Sequence, residues 1–497
     1  MGEIWAGRVL GPRGRGDGPP SDRRGAGSSG QRWSFPCQAR TGERKVTLVE
    51  ERQTKSTGRA KPARQSKGTR QAKATRQARG SGQAGTAKRA QADKGLPDVE
   101  YSKTIDEFIK KIQTWYKDDH EGFRTLFDAA IKHVVPPPKG TPANVYYNWE
   151  NRKIKDLCDF FKAWYKWQPD VNSGLDYIEK FSWINYENDY GMVFVTCGPG
   201  LKMTADFTNL QGLQMDAPDS KKLVEKWVKQ LGPKRMSDYE RPAGGWKNFN
   251  HFFIKELKPG KRPIDAKDDD SVVVAPTDCV INMIVDDLTE TTPIPVKTVT
   301  MNVKQLLDGS RHHKRFVGGT AVSCILMPDT YHWYHAPVGG EVVEARDDIG
   351  GVYYGMRNFP ELLNKGNVGY GYDYQMFGNF RRGYVIIKTK YLDRNGKPTE
   401  DGYVGLVPVG LNSIASVTFL PKFKMLTPSV PIEKGEKIGN IQYGGSLNIL
   451  LFEKDRFPAL QLLQGQRIGI LEQPARTAGL FTGPYHTSSQ HLRPVAP

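Results

Sequence analysis

Histidine and cysteine are both scarce in this 497-residue chain, which holds nine of the first and five of the second. The cysteines (Cys37, Cys158, Cys197, Cys279 and Cys324) lie far apart and form no C-x-x-C pair. That pattern offers neither a zinc site nor a disulfide framework, and it fits a reducing compartment. No run of eighteen apolar residues occurs, so nothing is expected to span a bilayer as a helix. The apolar core of a signal peptide is missing as well. Acidic residues are short at one end only. Residues 1–100 hold 22 Lys+Arg against 9 Asp+Glu, whereas the other 397 hold 50 against 45. The net charge of +18 is therefore mostly a property of one tail, and no nucleic-acid partner is expected for the folded part.

That tail, residues 1–98, has almost no large apolar side chain over the forty-odd positions of its QTKSTGRAKPAR…QADKG core. It cannot bury enough surface to offset its ordering entropy and is expected to be disordered. Being Arg-rich and poor in acids, it leaves organelle targeting open, although Gly and Pro crowd its first forty residues. Otherwise the chain is expected in the cytoplasm or peripheral to an intracellular membrane. From about Val99 the composition turns globular. Ile105, Phe108, Ile109, Ile112 and Trp115 repeat at helical spacing, as do Ile154, Leu157, Phe160, Phe161, Trp164 and Tyr165. Leu223, Val224, Trp227, Val228 and Leu231 mark a further helix that starts near Asp219 and stops at Gly232-Pro233. Residues 99–240 thus read as a helical N-terminal domain.

After Pro263 short apolar runs take over: SVVVAP, CVINMIV, AVSCILM, EVVEA, GYVIIKT, YVGLVPVG, SIASVTFL, KIGNIQY and LNILLFE. Gly, Pro, Asp and Asn bound most of them, which indicates a β-rich, mainly antiparallel domain over 241–473. The polar end, 474–497, reads as a flexible tail. The expected fold class is α+β.

Four residues carry candidate chemistry. In KGEKIGNIQYGGSLNILLFEKD, Ser446 follows Gly444-Gly445 between two apolar strands. The frame is not G-x-S-x-G, so a hydrolase nucleophile elbow is excluded. Two readings remain: a β-hairpin with a Gly-rich turn, or a strained Gly-Ser bond open to attack by its own hydroxyl. His332 and His335 share the run DTYHWYHAPVGG. On an extended segment they face different ways, which argues against a shared metal, and Pro337 disfavours a helix. Asp278 interrupts two apolar runs and must sit at a wet turn or be held by a partner. Asp278, His335 and Ser446 are the residue types of a hydroxyl-activating triad, which geometry and not chain order defines.

Four separated segments resemble the phosphatidylserine decarboxylase family. They are GWKNFNHFFIKELKPGKRPID, APTDCVI, LMPDTYHWYHAPVGGEV and VPIEKGEKIGNIQYGGS. Order and approximate spacing agree from about Trp246 to Phe457. The resemblance implies a proenzyme cut between Gly445 and Ser446, giving chains 1–445 and 446–497 that stay together as a heterodimer. It implies that Ser446 attacks the Gly445 carbonyl and becomes an N-terminal pyruvoyl group, with no metal and no external cofactor. It further implies that Asp278 orients His335, that His335 takes the Ser446 proton, and that His332 meets the substrate carboxylate or returns a proton. The pyruvoyl carbonyl would form a Schiff base with a substrate amine and act as an electron sink. Leu447 stands where the family often has Thr or Ser, and Cys279 where it usually has Gly. The site reads Gly-Gly-Ser, not the Leu-Gly-Ser of many members.

Phosphatidylserine is the expected substrate, with phosphatidylethanolamine as product and peripheral membrane contact in reach. The helical extension also resembles a soluble branch that includes a fungal decarboxylase of free tryptophan, so a free aromatic amino acid is the alternative. A third reading is an inactive scaffold or a non-enzymatic biotinyl- or lipoyl-like carrier with Lys424 as the modified lysine, because APVGGEVVEAR and PIEKGEKIGNI resemble such strand-turn units. A homodimer fits any of these readings.

Overall fold

The computed structural model describes residues 99–286, 288, 303–351, 380–458, 460 and 464, apart from 142, 144, 172, 394, 412–416, 425 and 427. The basic tail over 1–98 and the tail over 474–497 lie outside the described residues.

Helices dominate the first part: α1 (Ile105–Asp118), α2 (Phe123–Lys132), α3 (Ile154–Lys166), α4 (Asp176–Ser182), α5 (Asp189–Thr196), α6 (Gly198–Asp216), α7 (Lys221–Met236) and α8 (Phe249–Phe253). The Thr104 side chain caps α1 by accepting from the Glu107 N–H, and the helix buries Phe108, Ile109 and Ile112. Phe108 meets Phe161 edge-on at 5.1 Å, and Phe207 of α6 packs on Phe161 at 4.5 Å and on Trp164 at 5.0 Å. The periodic aromatics of the sequence are thus the helical core. α7 breaks at Gly232, whose φ of 74° precedes Pro233, as the sequence stop signal predicts.

Ten strands follow among the described residues: β1 (Val280–Val285), β2 (Thr320–Leu326), β3 (Trp333–His335), β4 (Gly340–Ile349), β5 (Arg382–Leu392), β6 (Pro398–Leu411), β7 (Val417–Phe419), β8 (Val430–Ile432), β9 (Lys437–Ile441) and β10 (Gly445–Phe452). A ninth short helix, α9 (Val303–Leu306), precedes β2. The strands form a seven-stranded sheet in the order β1-β2-β10-β6-β5-β4-β8 and a three-stranded sheet in the order β3-β9-β7. Every pairing is antiparallel. One face of the large sheet, with Ile325, Val407, Leu447 and Ile449, joins the apolar cluster of the helices. The other face, with Val322, Val385, Leu406 and Leu450, packs on Tyr334, Val417, Phe419 and Ile438 from the small sheet. The α+β class holds.

Three expectations change. SVVVAP is not a strand: among the described residues its backbone reaches distant segments only twice, by the Val274 N–H to the Pro337 carbonyl at 2.9 Å and by the Pro276 carbonyl, which accepts from the His335 N–H at 2.8 Å, and Pro276 has no N–H to give. The runs KIGNIQY and LNILLFE are both strands but do not pair as a hairpin, since β9 and β10 belong to different sheets. Lys424 follows a 3-10 turn (Pro421–Phe423) and pairs with Asp347 at 3.1 Å. It is not the tip of a hairpin, because β7 pairs with β9 and β8 with β4. Cys158, Cys279 and Cys324 are free.

Glu179 on α4 is 4% exposed, and its Oε1 has no hydrogen-bond partner among the described residues. Burial, and secondarily the Asp176 carboxylate, push its pKa up to about 9. The folded state therefore keeps a proton that the unfolded state releases near pH 4.5, and stability falls as pH rises from there toward 9. Glu179→Gln mimics the protonated acid. It should match the parent near pH 4.5 and exceed it by roughly 1–3 kcal/mol at pH 7. Thermal melts of both chains across this range check the point; a constant difference would refute it.

Candidate active site

The chain crosses from the small sheet to the large one in three residues, Gln442, Tyr443 and Gly444. Gly444 has a φ of 148°, a conformation open essentially to glycine alone. β10 then enters the large sheet between two partners, with Ser446 opposite Leu326 of β2 and Gly410 of β6. Leu447, Ile449 and Leu451 face the helix-side cluster, while Leu450 and Phe452 face the small sheet. By strand alternation Ser446 and Asn448 share that second face. Leu447 suits its position because it is 1% exposed in an apolar core. Ser446 is also 1% exposed, and its Oγ has no hydrogen-bond partner among the described residues; both side-chain amide atoms of Asn448 are likewise unpartnered.

His332 is fully buried and lies on the Phe253 ring of α8 at 3.9 Å. Its Nδ1 is 3.0 Å from the Thr330 carbonyl oxygen, which makes Nδ1 the protonated nitrogen and leaves Nε2 as a bare acceptor. That Nε2 is buried without a partner. Burial, then the nearby Lys255 cation, hold its pKa well below the usual histidine range. Lys255 Nζ donates to the same Thr330 oxygen at 2.8 Å and lies over the rings of Tyr239 and Phe252. Burial lowers the pKa of this lysine to about 7.

His335 turns the other way, as i, i+3 on an extended segment requires. Its Nδ1 meets the Gly435 carbonyl oxygen at 2.7 Å, and its Nε2 accepts from the Tyr331 hydroxyl at 2.9 Å. Burial depresses its pKa, opposed by the Gly435 bond; the Lys437 charge lowers it further, while the Glu256 carboxylate and, least of these, Asp278 raise it. Asp278 is held by a bidentate guanidinium: Arg262 Nε and Nη2 each donate to one carboxylate oxygen at 2.8 Å. Arg262 also reaches Asp238 at 3.1 Å. Burial lowers the Arg262 pKa, but its bonds to Asp278 outweigh that and raise it overall.

Asp278 and His335 are near enough for their charges to interact, and His332 shares the Phe253 ring with Tyr443, but no hydrogen-bonded Asp-His-Ser chain forms among the described residues. Asp278 bonds to Arg262, His335 is oriented by Gly435 and Tyr331, and Ser446 Oγ is unbonded. Arg262, Tyr331, Lys255 and Tyr443 went unnoticed as site residues in the sequence. Arg262 and Lys255 lie inside the FFIKELKPGKRP segment, and Tyr331 beside His332. Only their side-chain partners, from four to 269 positions away, reveal them. Among the described residues no three His, Cys, Asp or Glu side chains gather as metal ligands.

The family model described as phosphatidylserine decarboxylase matches residues 249–475. The chain is 30% identical over 261 residues to a phosphatidylserine decarboxylase proenzyme of Anoxybacillus flavithermus, covering 51% of this chain and 84% of that protein. It is 28% identical over 271 residues to the proenzyme of Fusobacterium nucleatum, covering 54% of this chain and 80% of that one. Against phosphatidylserine decarboxylase proenzyme 3 of Schizosaccharomyces pombe it is 30% identical over 252 residues, covering 51% of this chain but only 23% of the relative.

Asn448 offers a stability measurement on this strand. Replacing an unpartnered buried amide with an apolar group of similar size removes the cost of its lost hydration. Asn448→Leu should raise stability by about 1–3 kcal/mol, read as a higher Tm. A lower Tm would show that the amide is satisfied.

Proposed function

Because the chain belongs to the phosphatidylserine decarboxylase family, we propose that it is a self-processing proenzyme that decarboxylates phosphatidylserine. One observation carries the reading: a buried, unbonded serine hydroxyl stands directly after Gly444-Gly445, where one sheet hands the chain to another. Ser446 Oγ bonds to the Gly445 carbonyl carbon as the peptide C–N bond breaks, leaving an ester and a free amine. Loss of the Ser446 α-proton expels the Gly445 carboxylate. Addition of water and release of ammonia then leave a pyruvoyl group at position 446. The residue at 446 suits that group, since the hydroxyl is unbonded and a side-chain-free glycine precedes it.

His335 is the general base in this proposal, reached through the Tyr331 hydroxyl that now occupies its Nε2. Asp278 favours the protonated imidazole through its charge, while Arg262 holds the carboxylate in place. His332 fits proton handling better than contact with a substrate carboxylate. A bare imidazole nitrogen accepts a proton and has none to donate to an anion. When formed, the pyruvoyl group supplies an electron-withdrawing carbonyl for the substrate amine. The small chain, 446–497, keeps β10 between β2 and β6, which supports a heterodimer of the two products. Phosphatidylserine is taken as substrate from the names of the relatives. No helix among the described residues is long and apolar enough to cross a membrane, so lipid would be met by peripheral contact.

Intact mass spectrometry tests the processing. The wild-type chain should split into 1–445 and 446–497, the latter blocked at its N-terminus, and the two should co-elute under native conditions. Ser446→Ala should abolish the split. A Ser446→Ala chain that still divides would refute the mechanism. Carbon dioxide release from phosphatidylserine vesicles, set against free amino acids, tests the substrate; release from tryptophan alone would sink the lipid assignment.

A further inference from the structure

Tyr443 is the last residue before the two glycines, and five residues hold it. Its hydroxyl donates to the Gly174 carbonyl oxygen at 2.8 Å, across 269 positions of sequence. Its N–H donates to Asn250 Oδ1 at 3.3 Å. Its ring stands edge-on to Trp227 at 6.3 Å, to Phe249 at 5.4 Å and to Phe253 at 5.4 Å. Those partners come from the loop before α4, from α7 and from α8.

The cage is itself braced. Trp227 Nε1 donates to the Pro169 carbonyl at 3.0 Å, and Asn250 Nδ2 donates to Asp216 at the end of α6 at 3.0 Å. Room around the hydroxyl is limited as well. A Cβ added at Gly174 would lie 3.7 Å from the Tyr443 hydroxyl and 3.2 Å from the Asp170 carbonyl oxygen. Phe253, one wall of the cage, is also the ring on which His332 rests.

We infer that Tyr443 is a positioning residue through which the helical region sets the scissile turn, so that self-cleavage depends on helices that supply none of the reacting atoms. The inference rests on the reading of Gly445–Ser446 as the bond that is cut. Two glycines have the widest backbone freedom of any dipeptide. Left loose at one end, they would rarely bring the Gly445 carbonyl carbon to the Ser446 hydroxyl. β10 pins Ser446 from one side, and the aromatic cage pins Tyr443 from the other. Holding both ends converts an infrequent approach into a persistent one, which is where proximity lowers a barrier. After the cut, the anchor remains on the large chain. Gly444 and Gly445 are then the residues that move aside, Gly445 by giving up its pairing with Leu411 of β6, over a span of roughly 7 Å at full extension. Residue 446 would open to a substrate amine by that short displacement.

The test follows the conversion of freshly synthesised precursor in time, beside the Tm of each chain. Tyr443→Phe keeps the ring and removes the bond to Gly174. Its cleavage should slow by roughly 5- to 20-fold, the effect of losing one hydrogen bond that leaves a buried acceptor unpaired. Tyr443→Ala should slow it further. Ile112→Val, a fully buried change in α1, is the control for general destabilisation and should leave the half-time within about twofold. Tyr443→Phe cleaving at the parental rate would overturn the inference. So would Ile112→Val slowing cleavage as much for an equal loss of Tm. A wild-type chain that never cleaves would instead refute the family reading of the turn.

Discussion

Everything in this molecule that bears on Ser446 depends on the double pairing of β10. An interior strand has both rows of backbone groups engaged, here with β2 on one side and β6 on the other. The first residues of that strand, Gly445 and Ser446, are therefore positioned by a ladder that runs to Phe452, and not by a loop. The same pairing resolves a difficulty of any chain that cuts itself. In the proposed cleavage the small chain would start with a strand already locked into the centre of a sheet, paired on both sides.

Around that strand the polar groups are arranged by strict local satisfaction, with deliberate exceptions. Asp278 has a bidentate guanidinium, and the two ring nitrogens of His335 both have oxygen partners. Ser446 Oγ, His332 Nε2 and the Asn448 amide do not. Buried polar atoms without partners are costly, and functional sites are where such cost is retained. Lys255 belongs to the same economy. Its ammonium is fully buried against Tyr239 and Phe252 and shares the Thr330 carbonyl with His332, so the charge state of each bears on the other.

Much of the fold was legible in the sequence because it rests on local periodicity. Phe108, Ile112, Phe161 and Trp164 repeat every three or four positions and are the helical core. The Gly232-Pro233 stop breaks α7 for a reason contained in two residues. The runs around Ile325, Val407 and Ile449 are strands because they are apolar, β-branched and punctuated. What escaped was short or context-dependent. β3 is three residues long and hides in a run of histidine and aromatics, while SVVVAP has the composition of a strand but too few backbone bonds to form a ladder.

The sequence by itself determined the residue types at the site: a serine after two glycines, two histidines three apart, and an acid between apolar runs. Those are local chemical facts, and chain spacing conveys them. Only the tertiary structure decided which groups touch. It placed β9 and β10 in different sheets instead of a hairpin, gave Asp278 to Arg262, oriented His335 by Gly435 and Tyr331, and closed Gly174 over Tyr443. Hydrogen bonds and ring contacts act over a few ångströms, whereas these partners lie from four to 269 positions apart. No local pattern encodes a distance of that kind.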